Sequence, residues 1–241
     1  MSDLPKVLVP VLGRPMIEYV LDTLEQAGSV QTIVVVGYRA ADVQATLAAR
    51  SKLAFVEQRE QLGTGHAVQV CAAELKRYPN AAVLVVAGDS PMLRPDSVQR
   101  VFAEFESTGA SCLLGTAQRD NPFGLGRIVR DAAGNFAGIV EEKDASPEQK
   151  LITEVNLSCY LFRCGDLLDA LSQLGNNNAQ REYYLTDVPA ILHRAGKKIV
   201  ALPVLKPSEA LSINTPVELA AVEAELLRQR AKKYDPGVGE E

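Results

Sequence analysis

Two short runs, Thr32-Ile-Val-Val-Val36 and Val83-Leu-Val-Val86, each run out into a glycine, Gly37 and Gly88. Runs apolar on both faces suit strands covered on both sides, as in a parallel sheet under helices. Helical patterns alternate with them. Pro15 to Ala27 carries Met16, Ile17, Val20, Leu21 and Leu24 on one stripe, with Gly28 after its end. Ala40 to Ala49 reads as a second helix, and Ala54-Phe-Val56 as a short strand. Gly63 to Leu75 starts with glycines and turns helical, Pro95 to Phe105 is a helix, and Ser111 to Thr116 is a strand. This alternation predicts an α/β fold with a parallel, doubly wound sheet.

From residue 121 the pattern changes. Arg127 to Arg130, the turn Asp131 to Asn135, and Phe136 to Glu141 form an expected hairpin. Thr153 to Phe162 is a long strand, Asp166 to Leu174 and Tyr184 to Arg194 are helices, and a strand lies near Ile199 to Pro203. Thr215 to Lys233 is a terminal helix rich in good helix formers. The tail 234–241 is expected to be disordered. No internal repeat occurs, and no hexapeptide repeat follows the last helix.

Lys and Arg number 25 against 30 Asp and Glu, a formal charge of -5, so nothing points to nucleic acid or an anionic membrane as partner. No apolar run is long enough for a membrane span, and Pro5 and Pro10 interrupt the only apolar stretch near Met1. Cys71, Cys112, Cys159 and Cys164 show no CxxC spacing. They read as reduced thiols of a cytoplasmic protein, not as a metal site.

Several polar stretches interrupt this frame. Gln61-Leu-Gly-Thr-Gly-His66 precedes a helical pattern, where glycines permit close backbone approach and a helix start offers free N–H groups. It is either a phosphate, ribose or base contact or an ordinary loop, with His66 structural rather than catalytic. Asp89 follows a strand, at the carboxyl edge where open α/β sheets bind ligands. It suits a hard cation such as Mg²⁺, with a cap or turn role as the alternative. Asn121 to Arg127 is a glycine-rich entry to the hairpin, and the Glu141 to Asp144 charge run reads as a solvated face. Asn156 sits inside an apolar strand and needs partners, either a polar ligand or a core network. Thr215 before Pro216 is a candidate N-cap, and Asn214 is a turn residue or a metal ligand.

Read in order, "SDLPKVL", "GRPMIEYVLD", "EQLGTGHAV", "GDSPML", "GLGRIVRD", "GIVEEKDASPEQ", "NNNAQREYYLTD" and "INTPVELA" resemble the uridylyltransferase domain of bacterial N-acetylglucosamine-1-phosphate uridylyltransferases, within the sugar-phosphate nucleotidyltransferase superfamily. The resemblance runs from residue 2 to about residue 225 and implies a Rossmann-like fold, mostly parallel, with an inserted β-rich sugar-binding lobe. It implies one domain over 1–233: residues 1–120 nucleotide-binding, 121–205 mainly sugar-binding, and 206–233 a return segment with the last helix. It implies Mg²⁺-dependent transfer of uridylyl from UTP to N-acetylglucosamine 1-phosphate, releasing pyrophosphate. Lys6 would contact phosphates. Gln58, Gly63 and Thr64 would hold uracil and ribose, beside the Ala87-Gly88 backbone. Asp89 and Asn214 would bind Mg²⁺, Gly126, Glu141 and Asn156 would line the sugar pocket, and Thr186 would lie near the sugar phosphate.

The sequence departs from that family in places. The family's strand and Leu-Ala-Ala-Gly-x-Gly-Thr-Arg-Met loop before "SDLPK" have no counterpart, so the resemblance leads to the expectation of a segment upstream of Met1 and low activity without it. It also leads to a gap between Thr32–Val36 and Val83–Val86, where the first strand of a doubly wound sheet lies, or a foreign segment filling it. The family's Asn-Thr-Gly is Asn156-Leu157-Ser158, its Tyr before Gly-Asp is Ala87, and its Thr-Gly-Tyr-Gly is Phe123-Gly124-Leu125-Gly126. These differences bear on the sugar. The alternatives are another sugar 1-phosphate, or a sugar-nucleotide-binding protein without turnover. No acetyl-CoA chemistry is expected.

Overall fold

The computed structural model describes residues 4–234; of the tail expected over 234–241, Tyr234 ends the last helix and residues 235–241 lie outside the described residues. A 3₁₀ turn, Lys6–Leu8, leads into a narrow antiparallel hairpin of β1 (Pro10–Val11) and β2 (Arg14–Pro15). Helix α1 (Met16–Gln26) buries the expected stripe: Met16, Ile17, Val20, Leu21 and Leu24. Then come β3 (Thr32–Val36), α2 (Ala40–Thr46) and β4 (Leu53–Glu57), followed by the short helices α3 (Thr64–Gln69) and α4 (Ala72–Leu75). The helix expected over Gly63–Leu75 is thus divided. At the break the Cys71 N–H bonds to Val68 O, three residues back, which tightens the helical turn.

The chain continues through β5 (Ala82–Val86), α5 (Pro95–Thr108), β6 (Cys112–Gln118), β7 (Gly126–Arg130), β8 (Phe136–Val140) and β9 (Glu154–Arg163). It closes with α6 (Cys164–Leu171), α7 (Asp187–Arg194), β10 (Ile199–Leu202) and α8 (Pro216–Tyr234). Helix α7 starts later than the expected Tyr184. The backbone of Tyr183 instead bonds Leu62 O and Gly65 N–H, and the Leu185 N–H bonds the Thr64 hydroxyl.

The sheet is organised by β9. From Glu154 to Phe162, apart from a bulge at Leu157-Ser158, it pairs antiparallel with β6, while β5 and β7 share its other edge. Strand β5 covers Cys159 to Arg163 and β7 meets Val155 and Asn156. Strand β10 pairs parallel with β6, and β8 extends β7. Two of these pairings, β10–β6 and β3–β4, are parallel; those of β9 are antiparallel. The expectation of a mostly parallel sheet is corrected accordingly. Strands β5 and β6 do run parallel to each other, but the chain returns from the hairpin and threads β9 between them. At that junction the register slips: Gly115 faces Cys159, Thr116 faces Asn156, and Leu157 and Ser158 bulge out, with Ser158 at φ 55°.

As expected, β3 and β5 are not hydrogen-bonded to each other: β3 pairs with β4, and β5 with β9. Val83 to Val86 are therefore only half-buried, not enclosed as their apolar run predicts. Both faces of the main sheet carry a core. One packs Val68, Leu75, Leu167, Leu171 and Val188 from α3, α4, α6 and α7 against Leu114, Tyr160 and Phe162. The other packs Val98, Val101 and Phe105 of α5 against Leu113, Cys159 and Leu161. The four cysteines are free and buried, and burial pushes the Cys71 thiol to about 11, an unreactive state. Among the described residues no helix is long and apolar enough to cross a membrane.

Candidate active site

At the carboxyl end of β5, Ala87 and Gly88 lead to Asp89, with Val7 3.5 Å from where a Gly88 Cβ would stand. The 3₁₀ turn of Lys6 thus lies over this strand end. The Lys6 Nζ donates to Asp89 Oδ2 at 2.5 Å and to Asn214 Oδ1 at 2.7 Å. Both oxygens face one cation, so their separation is limited to the sum of those distances. Asn214 is fixed by the start of α8. The Thr215 hydroxyl accepts from the Glu218 N–H at 3.2 Å, and the Glu218 carboxylate accepts from the N–H groups of Asn214 and Thr215 at 2.7 and 2.8 Å. This capping box bears out Thr215 as N-cap. Positions far apart in sequence therefore supply one carboxylate and one amide oxygen to a shared cation, a donor set of the hard kind that fits Mg²⁺.

The second group surrounds the loop before α3. Gly63 has φ 111° and ψ 175°, a conformation all but confined to glycine. A Cβ there would meet Tyr183 O at 2.7 Å, and one on Gly65 would meet Leu174 Cδ1 at 2.8 Å. The close approach these glycines permit is made by the Glu182-Tyr183 backbone. Gln58 Nε2 donates to Gly63 O at 3.0 Å and lies 3.0 Å from His66 Nδ1. Gly63 O is only an acceptor, so the amide orientation is assigned, and His66 Nδ1 then accepts. His66 is thus a structural partner of Gln58. Among the described residues no donor reaches Gln58 Oε1.

The third group forms a wall beside the bulge in β9. Gly126 faces Asn156 across β7–β9, and a Cβ on it would lie 3.4 Å from Glu141 Oε2 and 3.5 Å from Asn156 Cβ. The Thr186 hydroxyl donates to Glu141 Oε1 at 2.9 Å. Burial raises Glu141 above the ordinary carboxylate value, and the charges of Asp144 and Asp187 add to this. Asn156 is buried; its Nδ2 donates to Tyr160 Oη at 2.6 Å and its Oδ1 accepts from the Ser158 N–H at 3.3 Å. Those partners supply the core network, while its backbone neighbours Gly126. The Asn178 side chain bonds both backbone groups of Glu182, closing its own loop.

The groups connect through shared backbone. Thr64 meets Leu185, next to Thr186, and Cys159, three residues beyond Asn156, pairs with Val86 at the head of the Asp89 loop. Residues missed in the sequence are Tyr184, whose hydroxyl is raised by burial, and Asp187, whose half-buried carboxyl is raised by burial. Both lie in the "EYYLTD" stretch, where two tyrosines beside alternating polar residues were the available signal.

The model of the MobA-like NTP transferase domain matches residues 1–183. The chain belongs to the MobA-like NTP transferase family. Within that family it resembles the bifunctional protein GlmU of Exiguobacterium sp. strain ATCC BAA-1283 / AT1b, with 44% identity over 232 residues, covering 96% of this chain and 51% of the relative. The GlmU protein of Syntrophotalea carbinolica is 44% identical over 229 residues, covering 95% and 48%. The chain thus spans about half the length of the curated relatives it matches. Among solved structures, apo UDP-glucose pyrophosphorylase superposes with a TM-score of 0.73 at 14% identity, covering 94% of this chain and 92% of that one. This MobA-like NTP transferase domain therefore shares the pyrophosphorylase fold: a central sheet flanked by helices.

Proposed function

We propose that the chain transfers uridylyl from UTP to N-acetylglucosamine 1-phosphate, releasing pyrophosphate, with Mg²⁺ as cofactor. The observation that carries this reading is the meeting of Asp89 and Asn214 on the Lys6 ammonium at the sheet's carboxyl edge. Mg²⁺ bound by Asp89 and Asn214 would neutralise phosphate charge there. Lys6 contacts the phosphates once released from that pair. The sugar phosphate oxygen attacks the α-phosphorus in line, and pyrophosphate leaves with the breaking P–O bond; positioning and charge neutralisation supply most of the rate. Gln58 Oε1 accepts from a base N–H such as uracil N3–H, with Gly63 and Thr64 beside the ribose and the Ala87-Gly88 backbone nearby. Cytosine and adenine present a ring acceptor at the matching edge, so Gln58 favours uracil over them. Gly126, Glu141 and Thr186 form the sugar side, with Asn156 behind them. In domain terms, residues 1–120 hold the nucleotide, 121–205 mainly the sugar, and 206–233 return Asn214 to the site.

The finer point is the sugar. Ser158 sits in the β9 bulge in a left-handed conformation, and with Val86, Ser90 and Glu209 it lines a small cavity between β9 and the Asp89 loop. That observation keeps related hexose 1-phosphates in the comparison. Titration calorimetry of UDP-N-acetylglucosamine with Mg²⁺, against UDP-glucose, CDP- and ADP-sugars, tests the reading. UDP-sugars should bind on the order of tenfold tighter than the others, a difference of about 1.4 kcal/mol. Equal affinity for all bases would contradict it.

A further inference from the structure

Arg127 is 1% exposed, a cation inside the sugar-side lobe that the reading above does not use. Its guanidinium spans three segments. One terminal nitrogen donates to Leu125 O; the other donates to Glu142 Oε2 at 2.6 Å and reaches Lys150 O at 3.5 Å. Glu142 Oε2 also accepts from the Gly124 N–H at 3.1 Å. The Glu142 carboxyl is held below its ordinary value by Arg127, so this part of the charge run is an ion-paired clamp and not a solvated face. The clamp joins the loop that ends at Leu125 to the turn that starts at Glu142. The next residue inward on each side is Gly126 and Glu141, which face each other at the wall.

The cost of this arrangement matters. Among the described residues Arg127 Nε is buried without a partner. A buried ion pair seldom outperforms apolar packing of similar volume, and an unmet donor makes the balance worse. Stability alone therefore gives weak reason for an arginine here. Geometry gives a better one, because a planar fork fixes two acceptors at set angles, which lysine cannot do.

We propose that Arg127, through Glu142 and Leu125 O, is a positioning residue that sets the spacing between Gly126 and Glu141 for the sugar ring. This rests on reading that wall as the sugar side of the site. The test compares UDP-N-acetylglucosamine with UDP, which lacks the sugar, by calorimetry in Mg²⁺. Arg127→Met and Glu142→Gln should each weaken UDP-N-acetylglucosamine on the order of tenfold and leave UDP within about twofold. Arg127→Lys should fail to restore the sugar nucleotide, since it offers no fork. Glu142→Gln keeps shape at a partly exposed position and serves should Arg127→Met not fold. Equal weakening of both ligands, or no change in either, would overturn the positioning role. Glu141→Gln serves as control. If it too leaves the preference for the sugar nucleotide unchanged, or the unsubstituted chain binds neither ligand, the sugar-site reading itself fails.

Discussion

Lys6 is held by Asp89 and Asn214, the pair proposed above as the Mg²⁺ ligands. A metal entering there must displace the ammonium. Lys6→Met should therefore tighten Mn²⁺ binding a fewfold, since a part-exposed pair is worth about 0.2–1 kcal/mol. Asp89→Asn should weaken it on the order of tenfold. Paramagnetic resonance of free Mn²⁺ measures both; weaker binding in Lys6→Met would contradict the competition. Glu141 offers a pH test. Burial raises its carboxyl, so the folded chain holds that proton more tightly than the unfolded chain does. Its contribution to stability is present at low pH and lost as pH rises from the ordinary carboxylate value through the raised one. Glu141→Gln should flatten that slope in melts between about pH 4 and 7, with an unchanged or higher melting temperature at neutrality. Asp187 and Glu209 are raised in the same sense, so some slope should remain. At this scale the positions of several candidate site residues were legible. The Asp89 and Asn214 positions follow a strand end and precede a cap, both local signals. The Gln58–His66 and Arg127–Glu142 pairings were not legible, because they depend on how loops fold back.

Among the elements, the loop before α3 and the segment before α7 define each other. Gly63→Ala should cost about 1–3 kcal/mol from backbone strain alone. The added methyl would also meet Tyr183 O, so urea unfolding should report a loss at the upper end. A loss within about 0.5 kcal/mol would mean that this contact is loose. Helix faces were readable because burial repeats along α1 and α5: Met16, Ile17, Val20, Leu21 and Leu24, then Val98, Val101 and Phe105. The start of α7 was not, since Tyr183 and Leu185 give their backbone groups to residues 62–65. Nor was the direction of β9. Its apolar content announces a core strand, but pairing sense is set by where the chain re-enters the sheet, which no local pattern records.

On the scale of the molecule, the β3–β4 pair and the main sheet share side-chain packing through Ile33, Val35, Val83 and Val85. Among the described residues they share no strand pairing, and β3 and β5 each have one paired edge, with β4 and β9. Open edges offer backbone groups to another strand. The chain should associate as its concentration rises, and its melt should be low or broad; light scattering and calorimetry read these. A monomer with a sharp melt at ordinary temperature would show that side-chain packing alone holds the two parts. The proposed uridylyl transfer is read most directly by mass-spectrometric detection of UDP-N-acetylglucosamine. The chain would be incubated with UTP, N-acetylglucosamine 1-phosphate and Mg²⁺ beside its Asp89→Asn variant. Product should form from UTP, little from CTP or ATP, and none above background from the variant. No product from any nucleotide, or equal product from the Asp89→Asn variant, would contradict the proposed transfer.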